Sequence, residues 1–278
     1  MKNVYDNHNH CQFSFDGKNT TVEESAMAAA AAGLSGMCFT DHCDVHTPPM
    51  KAAFENMVPE TFDIPAQQAE IDRVNALMPD FSIFKGIEIG VQKPYRDQIR
   101  NVLDNNSFDE IIASCHYLEE TDPFWGSYYE NKTWKQAYGH YLETLYEELV
   151  WLGNDFDIMG HYDYIVRYAS YPETSILYKD FGDILDKILG LLAKEGKALE
   201  INTKTYQEYK GRTPVLDPAI LKRFRELGGE FISLGSDSHK ADHTGFNFRD
   251  TISFLQSLGF RYLVHFENRK AIPLKAEI

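Results

Sequence analysis

The stretch Val4-Tyr5-Asp6-Asn7-His8-Asn9-His10 decides how this chain is read. It has the form of a short buried strand running straight into two histidines spaced i, i+2. Alternate side chains of a strand share a face, so both imidazoles point the same way and can grip one ion. Neutral imidazole is the commonest metal ligand among side chains. The plain alternative is a pair of surface histidines near a frayed N-terminus. The ligand reading gains because similar polar groups recur downstream, each where an apolar run ends.

Outward from that stretch, strand-like and helix-like segments alternate. Thr21-Val22-Glu23-Glu24 has capping-box form, and the Ala-rich run behind it stops at Gly33, a natural C-cap. Gly36–Thr40 reads as a strand ending in Asp41-His42, Gln67–Leu77 as a helix, and Phe81–Ile87 as a strand ending at Glu88. Tyr95–Leu103 reads as helix, and Ile111–Cys115 as a strand ending at His116. A long helix over Trp134–Leu152 carries Tyr138, Tyr141, Leu142, Leu145 and Leu149 on one face. Phe156–Gly160 leads into His161, a helix spans Phe181–Glu195, and Ala198–Ile201 ends at Asn202. Ile220, Leu221, Phe224 and Leu227 mark a further helix, and Phe231–Leu234 runs into Gly235-Ser236-Asp237-Ser238-His239. A last helix, Phe248–Leu258, precedes a short eighth strand near Tyr262–Val264. Such alternation implies a parallel sheet with right-handed crossovers. Closed into a barrel, the sheet gathers all strand C-termini on the face where barrel active sites sit. One α/β domain over residues 1–278 is the economical organisation, since no repeat or linker interrupts the chain.

Composition narrows the class. The 278 residues are 43% hydrophobic and 25% charged, as in an ordinary globular protein. The formal charge of −15 argues against nucleic acid, which is bound by Lys and Arg neutralising phosphates. No window approaches a membrane span and no secretory h-region opens the chain, so a cytoplasmic location is expected. Cys11, Cys38, Cys43 and Cys115 form no CxxC pair and read as reduced buried thiols; Cys11 and Cys43, beside candidate ligands, leave a thiolate ligand open. The chain is also open to self-association as a homo-oligomer.

Of the ten histidines, His8, His10, His42, His116, His161 and His239 fall at strand ends. Among the rest, His140 reads as a solvated helix face and His265 as surface. His46 and His243 fall near strand-end loops without a ligand pattern. Six imidazoles with carboxylates exceed the needs of one tetrahedral ion, and a carboxylate such as Glu88 can bridge two metals. The N/O donor set suits Zn, Mn or Fe better than Mg.

The ordered motifs His8-Asn9-His10 with Asp16 beyond it, Thr40-Asp41-His42, Gly86-Ile87-Glu88, Ser114-Cys115-His116, Gly160-His161 and Gly235-Ser236-Asp237-Ser238-His239 span nearly the whole chain. In that order they resemble the PHP (polymerase and histidinol phosphatase) superfamily, and within it the stand-alone histidinol-phosphate phosphatases. The resemblance implies a distorted (β/α)7 barrel, TIM-barrel-like, with three divalent metal ions at the C-terminal strand ends. By position, one ion falls to His8, His10, Glu88 and Asp237. A second shares Glu88 and adds His116 and His161, and the third takes Asp16, His42 and His239. Position 16 is often histidine in relatives, so Asp16 is a variant of the pattern. The implied activity is metal-assisted hydrolysis of L-histidinol phosphate in histidine biosynthesis, with a small phosphorylated metabolite as partner. Three divalent ions against three carboxylates leave about +3 at such a site, inside a protein of −15.

Around these ligands, Asp41 is the candidate to orient a ligand or handle a proton, with a purely supporting hydrogen bond as the alternative. Arg167 is the candidate phosphate clamp, since guanidinium matches phosphate oxygens bidentately. Lys204 and Arg212 are further substrate-binding candidates that also read as solvated loop charges. The long loops Thr47–Pro65, Glu119–Thr133 and Ala169–Lys179 overhang the same face, and the second carries Phe124, Trp125, Tyr128 and Tyr129. Competing readings are a PHP phosphoesterase for another phosphorylated metabolite, an amidohydrolase-type metal hydrolase, and a non-catalytic PHP module. The amidohydrolase reading lacks the bridging lysine on strand four. The non-catalytic reading sits poorly with a chain that keeps every motif.

Overall fold

The structure is a computed structural model and describes residues 1–45, 60–118 and 121–277. Its order is β1 (Tyr5–Asp6), α1 (Val22–Ala31), β2 (Gly36–Phe39), β3 (His42–Cys43), α2 (Ile64–Leu77), β4 (Ser82–Gly90), α3 (Arg96–Asn105) and β5 (Glu110–Ser114). There follow α4 (Trp134–Leu152), β6 (Ile158–Met159), α5 (Tyr164–Tyr168), α6 (Tyr178–Glu195), β7 (Ala198–Asn202), α7 (Pro218–Glu226) and β8 (Ile232–Gly235). α8 (Phe248–Ser257), β9 (Tyr262–Glu267) and β10 (Lys270–Lys275) complete it.

The strands pair in parallel in the order β1-β2-β4-β5-β6-β7-β8, with the two-residue β3 continuing the line of β2 along β4. The sheet nearly closes through the opening stretch itself. Beyond β1, the Asn7 N–H donates to Leu234 O at 2.9 Å, the Asp237 N–H to His8 O at 2.8 Å, and the His10 N–H to Ser238 O at 2.8 Å. His8 and His10 thus lie on an irregular extension that seams the first strand to the last, rather than within a continuous strand. This is the (β/α)7 barrel expected.

Local signals account for the elements. Thr21 and Glu24 form the capping box of α1, and Thr133 with Gln136 forms that of α4; such a cap contributes about 1 kcal/mol. The α4 stripe Tyr138, Tyr141, Leu142, Leu145 and Leu149 is wholly buried against the barrel and its neighbours. Each such side chain contributes roughly 1.5–3 kcal/mol.

Three expectations differ. The eighth strand is not part of the barrel: β9 pairs antiparallel with β10. This hairpin plugs the N-terminal end of the barrel, packing Val264 and Phe266 on Ile112, Ile158 and Ala198. His265, read as surface, is buried there, stacked on Tyr5 with ring centroids 3.9 Å apart. His140, read as solvated, is half-buried with Nδ1 3.2 Å from the Tyr128 hydroxyl. His46 and residues 47–59 lie outside the described residues, and His243 is exposed.

Candidate metal centre

Glu88 is the hub of the barrel's C-terminal face. β4 runs past it to Gly90, so its carboxylate enters from within the strand and is fully buried. Its Oε2 lies 2.8 Å from His42 Nδ1, 3.3 Å from His8 Nε2 and 3.5 Å from His10 Nε2. Its Oε1 lies 2.9 Å from His161 Nε2 and 3.1 Å from His116 Nε2, and accepts the Ser114 hydroxyl at 2.6 Å. His10 Nε2 is also 3.4 Å from Asp237 Oδ1. Asp16 Oδ2 lies 2.8 Å from His239 Nε2 and 3.6 Å from His42 Nε2. All nine residues picked as ligands therefore meet in one continuous cluster.

The groupings that could hold an ion overlap: His8, His10 and Glu88; His8, His161 and Asp237; His42, Glu88 and His116; His10, His42 and His239. Asp237 adopts φ +50°, a left-handed conformation that aspartate tolerates better than most residues. Such strain is found where a side chain must be aimed.

The donor set fits metal. His8 Nε2, both ring nitrogens of His10, His42 Nδ1, His161 Nδ1 and Glu88 Oε2 are buried and make no hydrogen bond. Orphaned buried polar atoms are costly, and His8 Nε2, His10 Nε2 and His42 Nδ1, which face the shared Glu88 carboxylate, are atoms that a cation would satisfy. Burial works to raise Glu88, yet the imidazoles of His8, His116 and His42 hold its carboxyl well below the usual range. Burial likewise opposes Asp237, but Lys204 and Arg167 keep it ionised. Burial pushes the imidazoles of His10, His161 and His239 down toward the neutral form that ligates, whereas the nearby carboxylates overcome burial and push His8, His42 and His116 up. No cysteine belongs to these groupings; Cys11 instead donates its thiol to Asp41 Oδ2 at 3.0 Å.

Arg167 stands beside the cluster, but as a braced residue. Its Nε donates to Thr205 Oγ1 at 2.9 Å, Nη1 to Asp237 Oδ2 at 2.8 Å and Nη2 to Asn202 Oδ1 at 2.8 Å. It rides on α5, a short helix that begins three residues after His161. Lys204 is also at the cluster, its Nζ 3.0 Å from Asp237 Oδ1 and 3.1 Å from His239 Nδ1.

Asp41 takes a supporting place rather than a proton-handling one. Its carboxylate is fully buried away from the cleft and accepts the Cys11 N–H at 2.8 Å and Gln67 Nε2 at 2.7 Å. Burial raises it to about 6. It anchors the backbone just past His10 and touches no substrate space. Arg212 is likewise displaced: it bonds the Tyr171 carbonyl and lines a neighbouring groove with Tyr209 and Pro214.

Above the cluster opens a cleft of about 460 Å³. Asp16, His42, His116, His161, Asp237 and His239 form its floor, with Arg167 and Lys204 on one side. Three carboxylates also line it. Asp44 Oδ2 lies 3.0 Å from His116 Nδ1, Glu60 accepts the Tyr117 hydroxyl at 2.7 Å, and Asp122 accepts the Tyr164 hydroxyl at 3.0 Å. Burial, then Asp44, raises Glu60 to about 7, and burial raises Asp122 to about 6. Of the loop aromatics, Tyr128 and Tyr129 are buried and tack the loop down, whereas Phe124 and Trp125 are about half exposed at the cleft.

Sequence reading passed over Asp44, Glu60, Asp122 and Glu200, and gave Ser114 no role within its motif. Glu200 had a signal, standing two residues before Asn202 and hence on the same strand face. Glu60 and Asp122 sit in loops where no periodicity speaks.

Comparison with known proteins points one way. The PHP domain family matches residues 6–204. The histidinol-phosphatase of Lactococcus lactis subsp. lactis (strain IL1403) is 33% identical over 275 residues, covering 98% of each chain. A probable histidinol-phosphatase of Clostridium acetobutylicum is 31% identical over 266 residues, covering 96% of this chain and 98% of its relative. Among solved structures, histidinol phosphate phosphatase from Lactococcus lactis, complexed with Zn, L-histidinol and phosphate, superposes with a TM-score of 0.86 at 30% identity. That match covers 97% of this chain and 99% of the other. On its matched family and full-length relatives, as on its barrel, the chain belongs to the PHP domain family.

Proposed function

We propose that this chain is a metal-dependent phosphomonoesterase that hydrolyses L-histidinol phosphate to L-histidinol and phosphate, a step of histidine biosynthesis. The observation that carries the reading is a cleft with two electrostatic characters. Its floor is the ligand cluster flanked by Arg167 and Lys204, and its lining also holds Asp44, Glu60 and Asp122 among Tyr117, Trp125 and Tyr164. L-histidinol phosphate is divided in the same way, with a phosphate at one end and an ammonium and an imidazole at the other. The full-length relatives named histidinol-phosphatase, and the related structure holding L-histidinol and phosphate, support the assignment.

Three divalent ions, with Zn, Mn and Fe as candidates, are assigned as the resemblance implies. When bound, they supply Lewis-acid stabilisation to the phosphoryl oxygens and the acidity that makes a nucleophile of water. The protein's own groups do the rest. Glu88 and Asp237, held ionised, keep the ligand set anionic. Arg167 is locked by Thr205, Asp237 and Asn202, yet a guanidinium carries more donors than those bonds use. Its remaining N–H groups and the Lys204 ammonium meet phosphate oxygens, while the acidic lining attracts the ammonium.

The test is phosphate release by Zn-, Mn- or Fe-loaded protein from L-histidinol phosphate, glycerol phosphate and phosphoglycerate. A charged hydrogen bond contributes roughly 1.5–3 kcal/mol, so kcat/KM should favour L-histidinol phosphate by at least about tenfold. Equal turnover of all three overturns the substrate, and no turnover with any metal overturns the activity.

A further inference from the structure

We infer that Glu200 is the positioning residue that aims His8 and seats His161 in the ligand cluster, and that Gly235 is glycine because Glu200 occupies the space a Cβ would take. The inference rests on the metal-dependent reading above, but it concerns residues that touch neither metal nor substrate.

Glu200 is 1% exposed, on β7 and inside the barrel beneath the cluster. Its Oε1 lies 2.7 Å from His8 Nδ1 and 3.2 Å from Asn202 Nδ2, while Oε2 accepts the backbone N–H of His161. An ionised carboxylate is acceptor-only. In the neutral, ligating form of His8 the hydrogen therefore sits on Nδ1, which leaves the Nε2 lone pair for an ion. That Nε2 is the atom 3.3 Å from Glu88 Oε2 and without a hydrogen bond of its own. A carboxylate behind a histidine fixes its tautomer and raises its basicity as a ligand. Here one carboxylate acts on two elements at once, the seam after β1 and the end of β6.

Gly235 makes the arrangement possible. A Cβ built there would collide with Glu200 Oε1 and stand 2.5 Å from the Cβ of His8. The same construction appears at another ligand. Asp44 Oδ2 lies 3.0 Å from His116 Nδ1, and a Cβ at Gly90 would fall on the Asp44 carboxylate. Two ligand imidazoles are thus backed by carboxylates, each admitted by a glycine at a strand's C-terminal end.

Glutamine at 200 cannot replace glutamate, although it has the same size. Its single oxygen serves either His8 or the His161 N–H, and its amide then turns donors toward the other. Loss of such a partner typically lowers metal affinity ten- to a hundredfold.

The test compares wild type, Glu200→Gln, Glu200→Ala, Gly235→Ala and the control Gly190→Ala, whose added methyl meets nothing within 4 Å. Zn²⁺ and Mn²⁺ stoichiometry and affinity are measured by chelator competition, the Tm with and without metal by calorimetry, and kcat and KM across metal concentrations. The expected result is about ten- to a hundredfold weaker binding of at least one ion in all three site variants and none in the control. Glu200→Gln should regain most of its kcat in excess metal, with KM little changed. If Gly235→Ala does not fold, the isosteric Glu200→Gln decides the matter. Wild-type metal affinity and stoichiometry in folded Glu200→Gln and Glu200→Ala overturn the inference alone. A wild-type protein that binds neither metal overturns the metal reading and the inference with it.

Discussion

Glu88 faces five imidazoles at once, those of His8, His10, His42, His116 and His161. Asp16, about a third exposed at the cleft edge, faces only His42 and His239. Replacing the shared carboxylate should therefore cost more than replacing the peripheral one. Stabilisation by a metal is worth several kcal/mol, and each 1.4 kcal/mol is tenfold in rate. Glu88→Gln should lose at least about a thousandfold in kcat/KM and more than one equivalent of metal, and Asp16→Asn no more than one equivalent. Equal mild losses in rate and metal content would speak against a shared ligand. Arg167→Ala removes both a phosphate donor and the brace on Asp237. A loss of about ten- to a hundredfold in kcat/KM is expected, with Lys restoring only part because it lacks the fork. Arg212→Ala, in the neighbouring groove, should change kcat/KM by less than about twofold. The reverse ranking would move the clamp to Arg212.

At the scale of the element, the β9–β10 hairpin stands where the sequence offers an eighth barrel strand. It closes the end of the barrel away from the cleft, and His265 on it is 2% exposed, stacked on Tyr5 and near Phe84. Burial lowers its imidazole from 6.5 to about 4. A folded-state value below the unfolded one means that the unfolded chain binds the proton more readily. The neutral ring's contribution is complete above pH 6.5 and is lost as the pH falls from there toward 4. At roughly 1.4 kcal/mol per pKa unit the effect is at most about 3.5 kcal/mol. His265→Phe keeps the stack and cannot titrate, so its Tm should decline less than wild type between pH 6.5 and 4. Parallel Tm–pH curves for the two proteins would show that protonation of this ring is not linked to unfolding.

Across the whole molecule, a protein of −15 sets Arg167 and Lys204 at one side of a cleft whose lining also holds Asp44, Glu60 and Asp122. Glu60 at about 7 and Asp122 at about 6 gain protons as the pH falls from 8 to 6. Their attraction for an ammonium then fades, while the phosphate end is unaffected by them. The KM of L-histidinol phosphate, taken relative to that of glycerol phosphate, should rise over this range. Dividing by the second substrate removes the titration of the phosphate that both share. Glu60→Gln should raise the ratio at pH 8 and flatten its upper limb; a ratio independent of pH and of Glu60 would remove this carboxylate from recognition.

How much of this was legible in the chain follows from the range of the forces involved. Strand periodicity is local, and a parallel barrel brings every strand's C-terminal end to one face whatever its loops do. His8, His10, Glu88, His116, His161 and Asp237 could therefore be read together from order and spacing alone. Tertiary structure decided what depends on contacts between distant segments. It turned Asp41 toward Cys11 and Gln67, and took β9 out of the barrel to bury His265. It brought Glu60 and Asp122 from separate loops to one cleft, and slid Glu200 under His8 through the opening at Gly235. Sequence by itself determined the barrel and its ring of candidate ligands, because strand periodicity is local and the ordered motifs at the strand ends carry the family resemblance. What supports and selects around that ring was decided only on folding, because a side chain's neighbours across the barrel leave no period in the chain.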